Sequence, residues 1–318
     1  MQYSEDLLGR QNADGGWSYH RGGSWTEPTC YAILALAANG ASHTSEVRRG
    51  VEWLRRCQRP DGGVAPRESV PESTWLTALT LLLPSENDGV GPGIDRHRAE
   101  TWTIAQTGHE SGWVNRLRLW MLGMDSADSI SFDGWPWYPG TAAWVGPTAV
   151  SILALEKLQN SGGQADTSAL RKRIQEGRSF LLARRCRDGG WNHGSTRALG
   201  YDSDSYPEIT GMALLALRGT TGPEITQGLV RGEQHLAECQ SSEASSWLRL
   251  GLRAHGHPKP AVDGTPLPMH GGVMEINATA LDNTAHHTNH VVHARTHTLH
   301  HITSHHIISH HIARHDMT

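Results

Sequence analysis

Phenylalanine is nearly absent from this chain: 2 of 318 residues, against 12 tryptophans. The core must therefore take its bulk from aliphatic residues and Trp, and the Trp fall at recurring places, which marks most of them as architectural. Cysteine is scarce as well. Four, at positions 30, 57, 186 and 239, are too few for a disulfide framework in a chain of this length. Reduced, buried thiols and a cytoplasmic setting are the expectation. No run approaches 18 apolar residues, so no spanning helix is expected, although an amphipathic helix lying on a membrane surface is left open. The start, Met1-Gln2-Tyr3-Ser4-Glu5-Asp6, has neither a basic region nor an apolar run, and no signal peptide is expected. An excess of positive charge is also missing: 28 basic against 32 acidic residues, scattered along the chain, exclude a nucleic-acid partner. No Gly-rich phosphate loop and no Gly-x-Ser-x-Gly nucleophile elbow is present.

What the chain does have is a repeated phrase. Arg49-Gly50-Val51-Glu52-Trp53-Leu54 leads to Gln58, Asp61-Gly62-Gly63 and then Ser73-Thr74-Trp75-Leu76-Thr77-Ala78-Leu79. Gln11 and Gly15-Gly16-Trp17 lead to Pro28-Thr29 and Ala32-Ile33-Leu34-Ala35-Leu36. Gly177, Phe180-Leu181 and Asp188-Gly189-Gly190-Trp191 lead to Ile209-Thr210-Gly211-Met212-Ala213-Leu214. A period of roughly 45–55 residues means a stack of one supersecondary unit.

Each unit reads as helix, Gly-rich turn, helix. Val47, Val51, Leu54 and Cys57 recur at three- and four-residue steps, giving one apolar stripe on a polar helix. The helix after the turn, from Trp75 to Leu83, is apolar nearly all round. One striped and one wholly apolar helix per unit predict two concentric layers: an all-α, α/α toroid of about six hairpins. Inner helices are predicted over 29–38, 73–83, 113–123, 147–158, 209–218 and 245–256, and outer ones over 2–11, 45–58, 95–107, 168–186 and 224–240. Residues 124–146 read as a long turn in place of an outer helix. The toroid is expected to occupy residues 2–260, followed by a tail over 261–318. That tail carries 12 of the 21 histidines between 286 and 315 and loses the repeat grammar. It reads as disordered low complexity or a replaced C-terminus, with a metal-binding tract as the alternative; no metal site is assigned.

The repeats resemble the QW motif of the squalene cyclase and protein prenyltransferase superfamily: basic-Gly, an aromatic, an aliphatic, Gln, then Gly-x-Trp. Residues 49–64 match except that Val64 stands for the Trp, and 177–191 match with Arg185 in place of the Gln. Residues 231–240 supply Arg231-Gly232, His235-Leu236 and Gln240 without a Gly-x-Trp. Gln11, Trp17, Gln58 and Trp191 are expected to be structural, the Gln tying backbone groups at neighbouring helix ends and the Trp shielding them.

The resemblance implies an α/α toroid acting on an isoprenoid or other apolar small molecule, with no cofactor. In the cyclases it implies an acidic Asp-x-Asp-Asp motif before the Thr-Ala of an inner helix, and that motif is absent here. The nearest candidates are Glu208, two residues before Thr210, with Asp202 and Asp204 just upstream. Glu27 and Glu72 likewise precede Thr29 and Thr74. A carboxylate there can also simply favour the helix dipole. Trp25, Trp75, Trp144 and Tyr206, at or near inner-helix starts, are the candidate substrate-binding rings, since aromatic faces steady carbocations; they can equally fill a solid barrel. Asp-x-Cys zinc ligation of the prenyltransferases is missing, as is the Cys-Gly-Glu-Gln thioester motif. Asp125-Ser126-Ala127-Asp128 has diphosphate-binding spacing but suits a polar turn. The leading expectation is a terpene cyclase-like protein that protonates a polyprenyl substrate in an apolar cavity. The alternative is a non-catalytic toroid that binds an isoprenoid lipid or a protein partner.

Overall fold

The computed structural model describes residues 2–42, 44–85, 93–109, 133–161, 167–194, 197–198 and 201–257. The predicted helix 113–123, the Asp125–Asp128 pair and the tail from 258 lie outside them. Ten helices are described: α1 (Gln2–Gly9), α2 (Thr26–Ala38), α3 (Ser45–Cys57), α4 (Leu76–Leu81), α5 (Arg96–Ala105), α6 (Val145–Asn160), α7 (Thr167–Ala183), α8 (Pro207–Ala216), α9 (Pro223–Glu238) and α10 (Ser242–Ala254). A two-residue hairpin, β1 (Arg197–Ala198) with β2 (Tyr201–Asp202), is the one sheet among the described residues.

The helices sort into two layers by composition. On α3 the buried residues Val47, Val51, Leu54 and Cys57 form one stripe, and the opposite face is charged. Helix α2, in contrast, is buried nearly all round. The inner layer runs α2–α4–α6–α8–α10, each helix packed on the next. The edge-on rings of Tyr31 and Trp247, 6.1 Å apart, join α10 back to α2. Helices α3, α5, α7 and α9 pack behind them. The α/α toroid is the observed fold.

The third unit departs from the spacing read in the sequence. Helices α4 and α6 touch directly: Trp75 packs edge-on against Trp137 at 4.8 Å, and Lys157 Nζ donates to the Leu82 and Leu83 carbonyls at 2.6 and 2.7 Å. Asp133-Gly134-Trp135 is therefore the Gly-x-Trp turn of the unit that α5 begins, so α5 and α6 form one hairpin. The inner ring among the described residues has five members.

The same turn is built four times. The backbone N–H groups of Trp17, Val64, Trp135 and Trp191 donate to the hydroxyls of Thr29, Thr77, Thr148 and Thr210 at 2.9, 2.7, 2.8 and 3.0 Å. The indoles of Trp17, Trp135 and Trp191 donate to the carbonyls of Leu7, Thr103 and Leu181 at the ends of their own outer helices. Gln58 Nε2 bonds the Gly62 carbonyl at 3.0 Å and the Asp95 carbonyl of the next unit at 2.9 Å. Gln11 does the same to Gly15 and Glu46, both at 2.7 Å. Arg185, in the Gln place, reaches Gln227 Oε1 at 2.5 Å. Each turn thus satisfies open groups at two helix ends and locks unit to unit.

Inner helices α8 and α10 cross at two glycines. A Cβ on Gly211 would lie 2.4 Å from the Trp247 backbone carbon, and one on Gly251 2.5 Å from the Gly211 carbonyl oxygen. Because backbone cannot rotate aside, Gly211→Ala is expected to destabilise by about 1–3 kcal/mol or more. Gly232→Ala, which meets only flexible leucine ends, is the control. Chemical denaturation checks both, and equal midpoints for the two variants would contradict the close crossing.

Candidate active site

All inner helices start at the same end of the toroid, because each follows a turn from an outer helix. Backbone bonds stitch these starts together: Thr26 N to Pro66 O, Trp75 N to Trp137 O and Val145 N to His193 O, at 2.8, 3.1 and 3.0 Å. Second positions of three inner helices carry glutamates: Glu27 on α2, Glu208 on α8 and Glu243 on α10. In ring order these are consecutive helices, so three carboxylates share one arc of this mouth.

Partly exposed residues form a stripe on four of the inner helices. It runs through Glu27, Leu34 and Ala38 on α2, Leu153 and Lys157 on α6, Glu208 and Leu215 on α8, and Glu243, Trp247 and Leu250 on α10. Steps of three, four, seven and eleven residues keep one helix face. The carboxylates top a stripe that is otherwise mainly apolar.

The surroundings of Glu27 shift its pKa. The residue keeps some exposed surface yet is enclosed by protein, and burial raises its pKa above the usual carboxylate range, against a lowering contribution from the Tyr19 hydrogen bond. The Tyr19 hydroxyl donates to Glu27 Oε2 at 2.5 Å. Tyr31, one turn below, is pushed well above the ordinary phenol value by burial and by the charges of Glu27 and Glu243. Tyr19 is raised by the same causes. The Glu27 carboxyl, with its raised pKa, thus lies among phenol and indole rings.

The rings form an interrupted belt at this level. Tyr19 lies 5.9 Å from Trp25, Trp144 lies 6.1 Å from His193, and His193 lies 5.4 Å from Tyr206. Trp25, Trp144 and Tyr206 are the residues immediately before α2, α6 and α8. Trp75 is one residue out of step with them, since Thr74 N, not Trp75 N, bonds back to the turn at Val64 O.

No protein-family model matches the chain. Over 89 residues, 27% of this chain and 16% of the relative, it is 41% identical to a drimenyl diphosphate synthase from Streptantibioticus cattleyicolor. An alignment of 234 residues, 65% of this chain and 32% of the relative, is 25% identical to a squalene–hopene cyclase from Bradyrhizobium diazoefficiens. The chain spans at most about a third of the length of these curated relatives. Its fold matches the type II terpene cyclase MstE from Scytonema with a TM-score of 0.52 at 15% identity, over 89% of this chain and 96% of that one. The chain is similar in sequence to members of the squalene cyclase-like superfamily and shares their fold.

Within this terpene cyclase-like toroid the acidic residues singled out in the sequence are dispersed. Asp202 lies exposed on β2, paired with Arg187 at 2.8 Å. Asp204 is also exposed, and its carbonyl accepts from Asn192 Nδ2 at 3.2 Å. Glu208 is the one of the three that stands on the stripe. Glu72 is exposed and out of register, because Thr77 rather than Thr74 occupies the place of Thr29. Glu243 escaped notice in the sequence because no Gly-Gly-Trp turn precedes α10. The His193 ring sits between those of Trp144 and Tyr206.

Two other polar clusters have structural accounts. Ser205 Oγ bonds Asp188 Oδ2 and His235 Nε2, both at 2.7 Å. The same Asp–Ser bond recurs at Asp14–Ser24 and Asp61–Ser73, so this grouping belongs to the repeated turn. Arg231 donates to Asp188 as Trp102 donates to Asp61. Arg231 therefore occupies a Trp place, and the glycine that matches Gly50 is Gly228, packed under Trp191. Among the described residues no helix is long and apolar enough to cross a membrane.

Proposed function

We propose that the chain is a proton-initiated terpene cyclase that folds a polyprenyl chain in the ring's lumen, with Glu27 as the acid. The observation that carries this reading is a carboxyl whose pKa burial raises, at the head of an apolar stripe and hydrogen-bonded by Tyr19. A carboxyl that protonates an alkene must hold its proton at working pH. It also needs its conjugate base steadied afterwards, and the Tyr19 O–H supplies that bond. In the step itself the Glu27 O–H bond breaks and the alkene π pair takes the proton, leaving a tertiary cation on the neighbouring carbon. Successive alkenes then attack that cation intramolecularly, and loss of a proton from carbon to water or a base ends the sequence. Trp25, Trp144, Tyr206, Tyr31 and Trp247 offer negative ring faces to the migrating charge. Glu208 and Glu243 flank the acid.

The test is incubation of the full chain with squalene and with C10–C20 prenyl diphosphates, products being read by mass spectrometry, in water and in heavy water. New cyclic products carrying one carbon-bound deuterium support the proposal. A folded protein that binds these substrates without turnover supports the non-catalytic toroid instead, the reading that the missing Asp-x-Asp-Asp motif favours.

A further inference from the structure

The fourth turn, at Gly189-Gly190-Trp191, departs from the others at two positions, and both changes bring in a group that can carry positive charge. In the first turn Ser24 Oγ donates to Asp14 Oδ1 at 2.6 Å and accepts from Asn12 Nδ2 at 2.9 Å. In the fourth, Ser205 Oγ donates to Asp188 Oδ2 at 2.7 Å, and His235 Nε2, also at 2.7 Å, takes the part of the Asn12 amide. Trp102, which donates to Asp61 in the second turn, gives way to Arg231. An amide and an indole, neither of which titrates, are thus exchanged for an imidazole and a guanidinium.

The pattern fixes where the protons lie. Although burial favours its neutral form, hydrogen bonds from Ser205 and from the Gly190 N–H hold the Asp188 carboxyl below the usual range. An ionised carboxylate only accepts, so the single Ser205 hydroxyl proton points to Asp188. Ser205 Oγ then accepts from His235, which puts the neutral ring's proton on Nε2. A second proton can enter only at Nδ1. It creates an imidazolium on a residue that is 6% exposed, with the charged Arg231 Nε already 3.3 Å from the same Ser205 oxygen. Asp188 in the turn, Glu208 on α8 and Glu238 on α9 itself oppose that positive charge. On the α10 side, the neighbours of α9 one turn away, at Gly232, are Leu248 and Leu252.

We infer that His235 makes the fourth turn an acid-sensitive latch: once its ring is protonated, the Asp188–Ser205–His235 link gives way and the start of α8 loosens. Ser205 lies immediately before Tyr206 and three residues before Glu208, so opening the latch frees one sector of the carboxylate mouth. Burial first, and Arg231 second, lower the pKa of His235 against the three carboxylates. A folded value below the unfolded one gives stability that is full above the unfolded pKa and is lost as pH falls through the folded pKa. The inference does not depend on the cyclase reading.

Two measurements on the full chain test it. The first is hydrogen–deuterium exchange, read by mass spectrometry at about pH 7.5 and about pH 5 and corrected for intrinsic rates. Protection of segments 188–194 and 205–210 is expected to fall severalfold in acid relative to the matching first-turn segments, 14–20 and 24–29. His235→Gln, which keeps an N–H donor for Ser205 and cannot titrate, is expected to abolish that difference. The second is nitrogen-15 NMR of the wild-type His235 ring, expected to show the Nε2–H tautomer and a midpoint below the ordinary value of about 6.5. An equal change of protection in the two turns, or a pH dependence that survives His235→Gln, would overturn the inference. So would an Nδ1–H tautomer or a midpoint at or above the ordinary value. If His235→Gln fails to fold, the two wild-type measurements decide by themselves.

Discussion

Glu27→Gln is expected to lower the rate of cyclisation by about 10²–10⁴-fold, the range for loss of a positioned general acid, while leaving the fold intact. Glutamine keeps the shape and can still accept from Tyr19, so only the transferable proton is lost. In the wild type the rate should fall as pH rises through the elevated pKa of Glu27, because the reactive form is the protonated one. Stability carries the same sign. Burial raises this pKa above its unfolded value, so stability present below the unfolded pKa is lost as pH rises through the folded one. Glu27→Gln should therefore be at least as stable as wild type at neutral and mildly alkaline pH. A carboxylate serving only the dipole of α2 would give the opposite result, a loss of about 0.3–1 kcal/mol on removal. Tyr19→Phe should slow the reaction less, since it removes support for the conjugate base and not the proton.

Trp135→Ala is expected to destabilise by about 3–5 kcal/mol, as for a large buried aromatic side chain. Trp135 is 2% exposed, and its indole donates to Thr103 O at 2.8 Å. The Arg173 guanidinium covers the ring at 3.9 Å and bonds the carbonyls of Ile104, Gln106 and Asp133 at 3.2, 2.9 and 3.1 Å. One cation thus straps the end of α5 to the turn that begins at Asp133. On the other side, a Cβ at Gly177 would lie 2.7 Å from the ring. Trp135→Phe keeps much of the volume and loses one hydrogen bond, so about 1 kcal/mol is expected from that loss. Were Trp135 part of an ordinary surface turn, its replacement by Ala would cost within about 0.5 kcal/mol. Urea unfolding of the two variants separates these cases.

The two-layer architecture was legible because stripe and all-apolar helices alternate, and because Gly-Gly-Trp marks the turn between them. Legibility failed where spacing broke. The sequence distance between Thr107, which holds the place of Gln58, and Gly134-Trp135 hid that α5 and α6 belong to one unit. On α9, glycines at 228 and 232 stand one turn apart, and only the packing under Trp191 tells which is the repeat glycine. At the mouth, Glu27 and Glu208 occupy identical local sequence positions. What separates them is the Tyr19 hydroxyl, brought from the preceding turn onto the Glu27 carboxylate, a contact that no pattern at a helix start encodes.

The most direct measurement is the titration of the Glu27 carboxyl by carbon-13 NMR in the full chain labelled at glutamate, with Glu27→Gln to assign the signal. A midpoint well above the ordinary glutamate value of about 4.3 is the result expected of a proton-donating acid. A midpoint at or below that value would mean an ionised helix-end carboxylate, and the proposed initiation step would have no acid at this position.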